Sequence, residues 1–422
     1  MPIEFKVLQQ GPFPQPVHHQ WLGMACLIAM MVGMMTSAEA LISIAFIALV
    51  VNVVLNRQLP QLWKRFLRHP ALLGITGIFL MYTLSGLYSE NTVYLFRRLR
   101  TSLPLLLLPF AILSLPRFGK QAYYSLLYLF FVLTLLACIA VLYQYWADYA
   151  ALTALYKKGQ VMPTPMRHIR FSLTVALAVA AGLYLADQRF CLRYMAERYL
   201  LIGGSIFMAA FLHLLAVRSG LLALYLMMGY ALARLVLLHR KFILGMTIVI
   251  ASAGLAYAAI QFIPTLQNKI NYTQYTIYLL VRDGEVQELS DSQRLGSIKA
   301  GLAMAKAHPW IGEGLGDIRD AAEAYYEAHA PGLAGRKLLP HNQYVFVLGA
   351  TGLLGLLYFV LATTYPLLYR SGYRDAFWTA FHLMIFSSFM VEHTLETQFG
   401  LTLYLLFALM GLRHIDAQGQ DL

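Results

Sequence analysis

Charge is scarce in this sequence. Only 12% of its 422 residues are charged, against 59% hydrophobic, and a soluble domain carries about 25% charged residues. That shortage excludes an ordinary soluble globular chain. Cysteine is scarce too. Cys26, Cys138 and Cys191 are the only three. The first two lie inside apolar runs and none has a near neighbour, which argues against a disulfide framework or a zinc cluster. Carboxylates are outnumbered, 20 Asp and Glu to 32 Lys and Arg, for a net charge of +12. In a soluble protein that excess would suggest a nucleic-acid partner. Here most cations lie in short loops between apolar runs, which membrane topology already explains, so no nucleic acid is expected.

What the sequence has in abundance is apolar runs. Each is long enough to cross ~30 Å of hydrocarbon as a helix, and none shows the strict alternation of a lipid-facing barrel strand. The expected fold class is an all-α polytopic membrane protein of about twelve spans, near 20–36, 39–55, 71–88, 102–115, 121–146, 171–186, 199–217, 221–238, 242–263, 343–369, 376–391 and 399–413. The fourth is short and interrupted by Pro104 and Pro109. Residues 1–20 are polar, and Ala38-Glu39-Ala40 superficially matches a signal-peptidase site. A second apolar run begins at once at Leu41, so a helical hairpin is the simpler reading.

Lys and Arg set the orientation. Placing both termini in the cytoplasm gives most short inner loops at least two cations, among them Lys64, Arg65, Arg68, Arg117, Lys120, Arg189, Arg240 and Lys241. The outer side then carries one long segment. The chain divides into an N-terminal bundle (1–263), an outer helical loop (264–342) and C-terminal helices (343–422). Within the loop, residues 289–308 have helical periodicity with Ser290 or Asp291 as cap. Pro309 stops that helix, Gly312, Gly314 and Gly316 make a tight turn, and 317–330 reads as a second helix. The expected result is a lid over the outer face.

Several outer cations break the charge bias. Arg97, Arg98 and Arg100 precede the fourth span, where snorkelling to the interface accounts for them. Arg167 and Arg170 precede the sixth span. Arg218 stands in Arg218-Ser219-Gly220, read as a minimal turn. A cation there costs up to ~3 kcal/mol toward the span centre, and the turn does not need it, so a cavity holding an anion is the better account. Arg294 either pairs with Asp291 at i−3 on the surface or joins that cavity. His341 opens the tenth span, as a polar cap or as a general base. Glu392, His393 and Glu396 lie in the last outer turn, either solvated or orienting a histidine. Asp283-Gly284-Glu285 is the nearest approach to an acidic pair and reads as a solvated turn.

These pieces come in a familiar order. Val217-Arg218-Ser219-Gly220-Leu221, then Arg294-Leu295 with His308-Pro309-Trp310-Ile311-Gly312-Glu313-Gly314-Leu315-Gly316, then His341-Asn342-Gln343-Tyr344 with Gly352-Leu353-Leu354-Gly355, resemble the motifs of the O-antigen ligase and polymerase superfamily. The likeness is strongest over about 200–412; His168-Ile169-Arg170-Phe171-Ser172 adds to it upstream. The resemblance implies a GT-C-like helical fold in the bacterial inner membrane. It implies an undecaprenyl-diphosphate-linked glycan as donor, a lipid A–core acceptor for a ligase or another repeat unit for a polymerase, and metal-independent, inverting transfer at the periplasmic face with no cofactor. The compact length and single dominant outer loop favour the ligase.

The chemistry fits the residues. A leaving diphosphate needs its charge stabilised, by a metal or by Arg forks, and the sequence offers arginines. Arg218 and Arg294, with Arg170 as a third, are expected to bind the diphosphate. His341 is expected to take the acceptor proton, and Asn342, Tyr344 and Glu392 to support the site. A transporter is the main rival class, but the sequence shows neither internal repeats nor helices interrupted near mid-membrane. A scaffold protein would not need arginines in minimal turns.

Overall fold

A computed structural model describes residues 17–157, 160–238, 240–282 and 290–418. Every regular element among them is helical: α1 (Val17–Met35), α2 (Glu39–Val54), α3 (Leu59–Leu67), α4 (Pro70–Ser85), α5 (Thr92–Ala111), α6 (Lys120–Ala147), α7 (Tyr149–Lys157), α8 (His168–Asp187), α9 (Glu197–Leu215), α10 (Arg218–Leu237), α11 (Phe242–Phe262), α12 (Pro264–Arg282), α13 (Ser290–Ala307), α14 (Ile318–His329), α15 (Gln343–Leu368), α16 (Ala376–Val391) and α17 (Gln398–Gln418), with short 3-10 turns between some of them. The chain is a polytopic helical membrane protein. Each of the twelve expected spans falls on a helix. Seven are long and apolar enough to cross a membrane, or eight if α2 and α3, bent by 106°, form one broken span. Of the others, α16 is only 16 residues long, and α5 carries Arg97, Arg98 and Arg100 within its length. Asp283-Gly284-Glu285 lies outside the described residues.

Local chemistry sets the helix ends. Asn91 accepts from Tyr94 N at 3.0 Å, Asn342 from Val345 N at 3.0 Å and Asp375 from Trp378 N at 2.8 Å, each satisfying a first-turn amide. Pro70 opens α4, where the missing N–H costs nothing. Ser37 adopts φ 56° between α1 and α2, giving the expected hairpin. The turn before α10 is not where the sequence suggested. Ala216 is left-handed (φ 51°) and ends α9, while Arg218-Ser219-Gly220 are already the first turn of α10.

The most buried helices, α8 and α17, form the core around which the others pack. At one end, α8 and α10 approach closely enough that a Cβ on Gly220 would collide with Ser172. That contact places Arg170 and Arg218 on neighbouring first turns. At the opposite end, Asp416 of α17 meets His69 Nε2 at 3.1 Å and accepts from Tyr369 OH at 3.2 Å, with Arg413 alongside at 3.8 Å.

The two helices expected at 289–308 and 317–330 are α13 and α14, with Gly312 and Gly314 at positive φ between them, and a further helix, α12, precedes them. One helix that reads as continuous in the sequence is broken: α15 is interrupted at Gly352 (φ 65°, ψ −168°), a conformation essentially restricted to glycine. The freed backbone groups pair with the turn after α13. Glu313 N donates to Gly349 O at 2.9 Å, Gly314 N to Ala350 O at 3.0 Å and Leu353 N to Pro309 O at 2.8 Å. Irregular backbone inside a membrane protein is tolerated when protein satisfies it in this way. Two segments singled out separately in the sequence, 308–316 and 352–355, are therefore the two halves of one joint. Substituting Gly352 by Ala would strain the backbone and drive Cβ into the Trp310–Ile311 backbone. The variant is expected to lose at least about 1–3 kcal/mol, read as a lowered unfolding temperature of the detergent-solubilised protein. An unchanged temperature would show that the joint bears no strain.

Candidate functional site

The segment before α8, the first turns of α8 and α10, helices α12 and α13, and the α16–α17 turn converge on one cavity. Its volume is about 280 Å³, and Arg167, His168, Arg170, Arg218, Lys269, Arg294 and Glu392 are on its wall. A second cavity of about 250 Å³ shares Arg218 and Arg294 and adds Asp291, Leu222 and Val391. The three arginines singled out in the sequence, carried by α8, α10 and α13, thus line one space. Five Lys or Arg side chains and one carboxylate on the wall of the larger cavity make a strongly positive, partly desolvated pocket.

Two carboxylates hold individual arginines. Glu392 Oε2 lies 3.7 Å from Arg170 Nη2, both side chains nearly buried. Asp291 Oδ1 lies 2.5 Å from Arg218 Nη2, with the arginine side chain 45% exposed. Asp291 therefore pairs across the lid with Arg218, not with Arg294 on its own helix as the local sequence suggested. Burial alone would raise the Asp291 carboxyl, but Arg218, Arg294 and Lys269 outweigh it and hold it below the usual range. Burial, reinforced by Arg218 and Arg294 against the pull of Asp291, lowers the Lys269 ammonium. Among the described residues, Arg170 Nε and Ser219 Oγ are buried without a hydrogen-bond partner. Both belong to residues of the cavity wall, and buried donors normally have partners.

His341 does not line either cavity, but Glu392, Arg294 and Arg167 of the larger one act on its ring electrostatically. Its Nδ1 is 3.2 Å from Ser297 Oγ of α13, and the same hydroxyl accepts from the His341 backbone N–H at 3.1 Å. Burial lowers the imidazole below its ordinary 6.5; Glu392 and the Leu339 carbonyl oppose the shift, Arg294 and Arg167 add to it. A shift in this direction favours the neutral ring, the state a base requires. His393 stands edge-on to it at 5.4 Å between centroids and is pushed down to about 4, chiefly by burial.

Of the expected supporting residues, Glu392 reaches the cavity. Asn342 caps α15 and donates from Nδ2 to Met390 O at 3.0 Å, tying the start of α15 to the end of α16. Tyr344 instead packs edge-on against Phe359 and Phe389, a structural position. Arg98 departs from the snorkelling expectation. It is largely buried and ion-paired to Glu396, whose Oε1 also accepts from Tyr82 OH at 2.7 Å and Gln343 Nε2 at 3.1 Å. Gln343 Oε1 accepts from Leu395 N at 2.9 Å. This knot clips the α16–α17 turn to the residues just after His341. Arg167 and His168 belong to a segment noticed in the sequence, whereas Lys269 and Ser297 carried no local signal. Lower down, α8, α10 and α16 enclose an apolar groove of about 250 Å³ lined by residues such as Val179, Leu183, Leu224, Met227 and Ala380.

The chain is thus of the class of polytopic helical membrane proteins, with a cationic cavity whose guanidinium groups suit an anionic ligand. Residues 203–360 match the family model described as O-antigen ligase, and this match supports membership of the O-antigen ligase and polymerase superfamily, whose members are glycosyltransferase-like enzymes. The matched stretch contains Arg218, Lys269, Arg294 and His341; Arg170 and Glu392 lie outside it. No curated protein matches the chain.

The electrostatics predict a titration. In the ligand-free protein, the His341 imidazole followed by NMR should titrate with a midpoint below 6.5. Because Glu392 favours the protonated ring, Glu392→Gln should move that midpoint lower still. A midpoint at or above 6.5, or an upward move in the variant, would contradict the burial and charge balance described here.

Proposed function

We propose that this chain is an O-antigen ligase that transfers a glycan from undecaprenyl diphosphate to a sugar hydroxyl of lipid A–core at the periplasmic face of the bacterial inner membrane. The observation that carries the reading is the convergence of Arg170, Arg218 and Arg294 on one cavity, with Glu392, Arg294 and Arg167 of its wall acting on the His341 ring. The family match supports a ligase or polymerase activity at the coarser level.

In the proposed reaction, the acceptor hydroxyl oxygen attacks the anomeric carbon of the donor sugar from the face opposite the diphosphate. The bond from that carbon to the phosphate oxygen breaks, and polyprenyl diphosphate leaves with both bonding electrons. The hydroxyl proton passes to the neutral His341 imidazole. Attack from the opposite face inverts the anomeric configuration. The leaving diphosphate needs charge stabilisation and no proton. Arg218 and Arg294, with Arg170, supply it through planar forks that match phosphate oxygens, so the step needs no metal. The lid helices exclude water that would otherwise hydrolyse the donor. The apolar groove between α8, α10 and α16 lies on the helices that carry Arg170 and Arg218 and offers room for part of a lipid tail.

Reconstitution with a purified lipid-linked glycan and a core acceptor tests this. His341→Ala should reduce transfer about 10²- to 10⁴-fold while donor binding stays near wild type; retained transfer would remove its role as base. Arg218→Lys keeps the charge and loses the fork, with an expected loss of about ten- to a hundredfold; a wild-type rate would rule out bidentate binding. In cells, deleting the gene should strand long glycan chains on the polyprenyl carrier. Single repeats on the core would instead identify a polymerase.

A further inference from the structure

The two carboxylate–arginine pairs of the cavity differ in kind. Arg170–Glu392 is nearly buried and long, and it joins the start of α8 to the turn after α16. Arg218–Asp291 is short and half open to solvent, and it joins α10 to the first turn of the lid helix α13. The rest of α13 is held by other contacts. Ser297 bonds His341, Gly301 packs against Pro340 and Val345, and the turn after Ala307 is tied to the break in α15. At its first turn, the Asp291 carboxylate ties α13 to Arg218 of α10, while Ser292 beside it is buried.

An ion pair this exposed contributes little by itself. Yet it occupies a guanidinium edge facing the space shared by Arg218 and Arg294. A diphosphate brings several anionic oxygens to the same fork, where a single carboxylate brings two. Both cannot hold that edge together, because like charges within a few ångströms of each other repel.

We infer that Asp291 is the resident anion of Arg218, displaced by the diphosphate of the arriving donor, so that donor loading releases the first turn of the lid helix and product departure restores it. The inference rests on the proposed diphosphate site. It assigns Asp291 a specific part in that site as a competing, positioning group that does not touch the reacting atoms. The carboxylate lowers the affinity for donor and product alike, which favours turnover of a product that still carries the diphosphate.

Binding of polyprenyl diphosphate to the full-length chain in nanodiscs tests the inference. Asp291→Asn should tighten binding about fivefold, the effect expected from removing one exposed ion pair that competes. Asp291→Ser, a smaller uncharged residue, should do the same, and in an Arg218→Gln background neither substitution should change affinity. In the wild type, amide exchange in the first two turns of α13 should accelerate on binding. In Asp291→Asn it should be fast already and indifferent to ligand. Unchanged or weaker binding by both Asp291 variants, with the wild type binding normally, would overturn the role of Asp291 alone. Failure of the wild type to bind polyprenyl diphosphate would remove the diphosphate site and this inference with it.

Discussion

The joint between the 309–314 segment and the break in α15 governs the arrangement of the site. A membrane helix interrupted at Gly352 leaves carbonyls and amides that hydrocarbon cannot satisfy. The turn following α13 supplies their partners through backbone hydrogen bonds of 2.8–3.0 Å. One consequence is mechanical. The lid helix α13, which carries Arg294 and Ser297, is fixed at its far end to the same helix whose first turn follows His341. The helix that bears Arg294 is therefore fastened to α15 by backbone hydrogen bonds at one end and by Ser297 to His341 along its length.

Electrostatics follows from that arrangement. The cations of the cavity come from α8, α10, α12 and α13 and from the segment just before α8, one from each. Gathered together they depress Lys269 and help depress His341, while Glu392 opposes the shift at the histidine. A pocket held this way carries positive charge already in place for an anion, which is what stabilises a leaving group without reorganisation. An incoming diphosphate would also weaken the field of Arg294 and Arg167 at His341, making the imidazole a stronger base when the donor is present.

The Arg98–Glu396 pair with Tyr82 and Gln343 belongs to the same design. A buried ion pair is weak evidence for stability, because desolvation offsets the Coulombic gain. Its arms reach α4, α5, α15 and the α16–α17 turn, and Glu392 and His393 lie just before Glu396 in that turn. The pair acts as a register device: it holds the turn bearing Glu392 against the start of α15, next to His341. The capping bond from Asn342 to Val345 and its second bond to Met390 tie the same two elements from the other side.

Hydropathy alone determined that the chain is helical and polytopic, because a helix in hydrocarbon must satisfy its own backbone and its length is dictated by the membrane. Helices α13 and α14 and the glycine turn between them were equally legible, since propensity, proline and glycine act over a few residues. Arg218, Arg294 and His341 stood out because a cation or an imidazole at the end of an apolar run has few ordinary reasons to be there. Tertiary structure decided what no local pattern contains. It sent Asp291 to Arg218 rather than to its neighbour Arg294, buried Arg98 against Glu396 some three hundred residues away, and brought Lys269 and Ser297 from the lid to the site. It also broke α15 at Gly352, which the sequence marked as part of a motif but not as a break. Charge pairing and backbone satisfaction depend on distance in space, and that distance is set only when the helices pack.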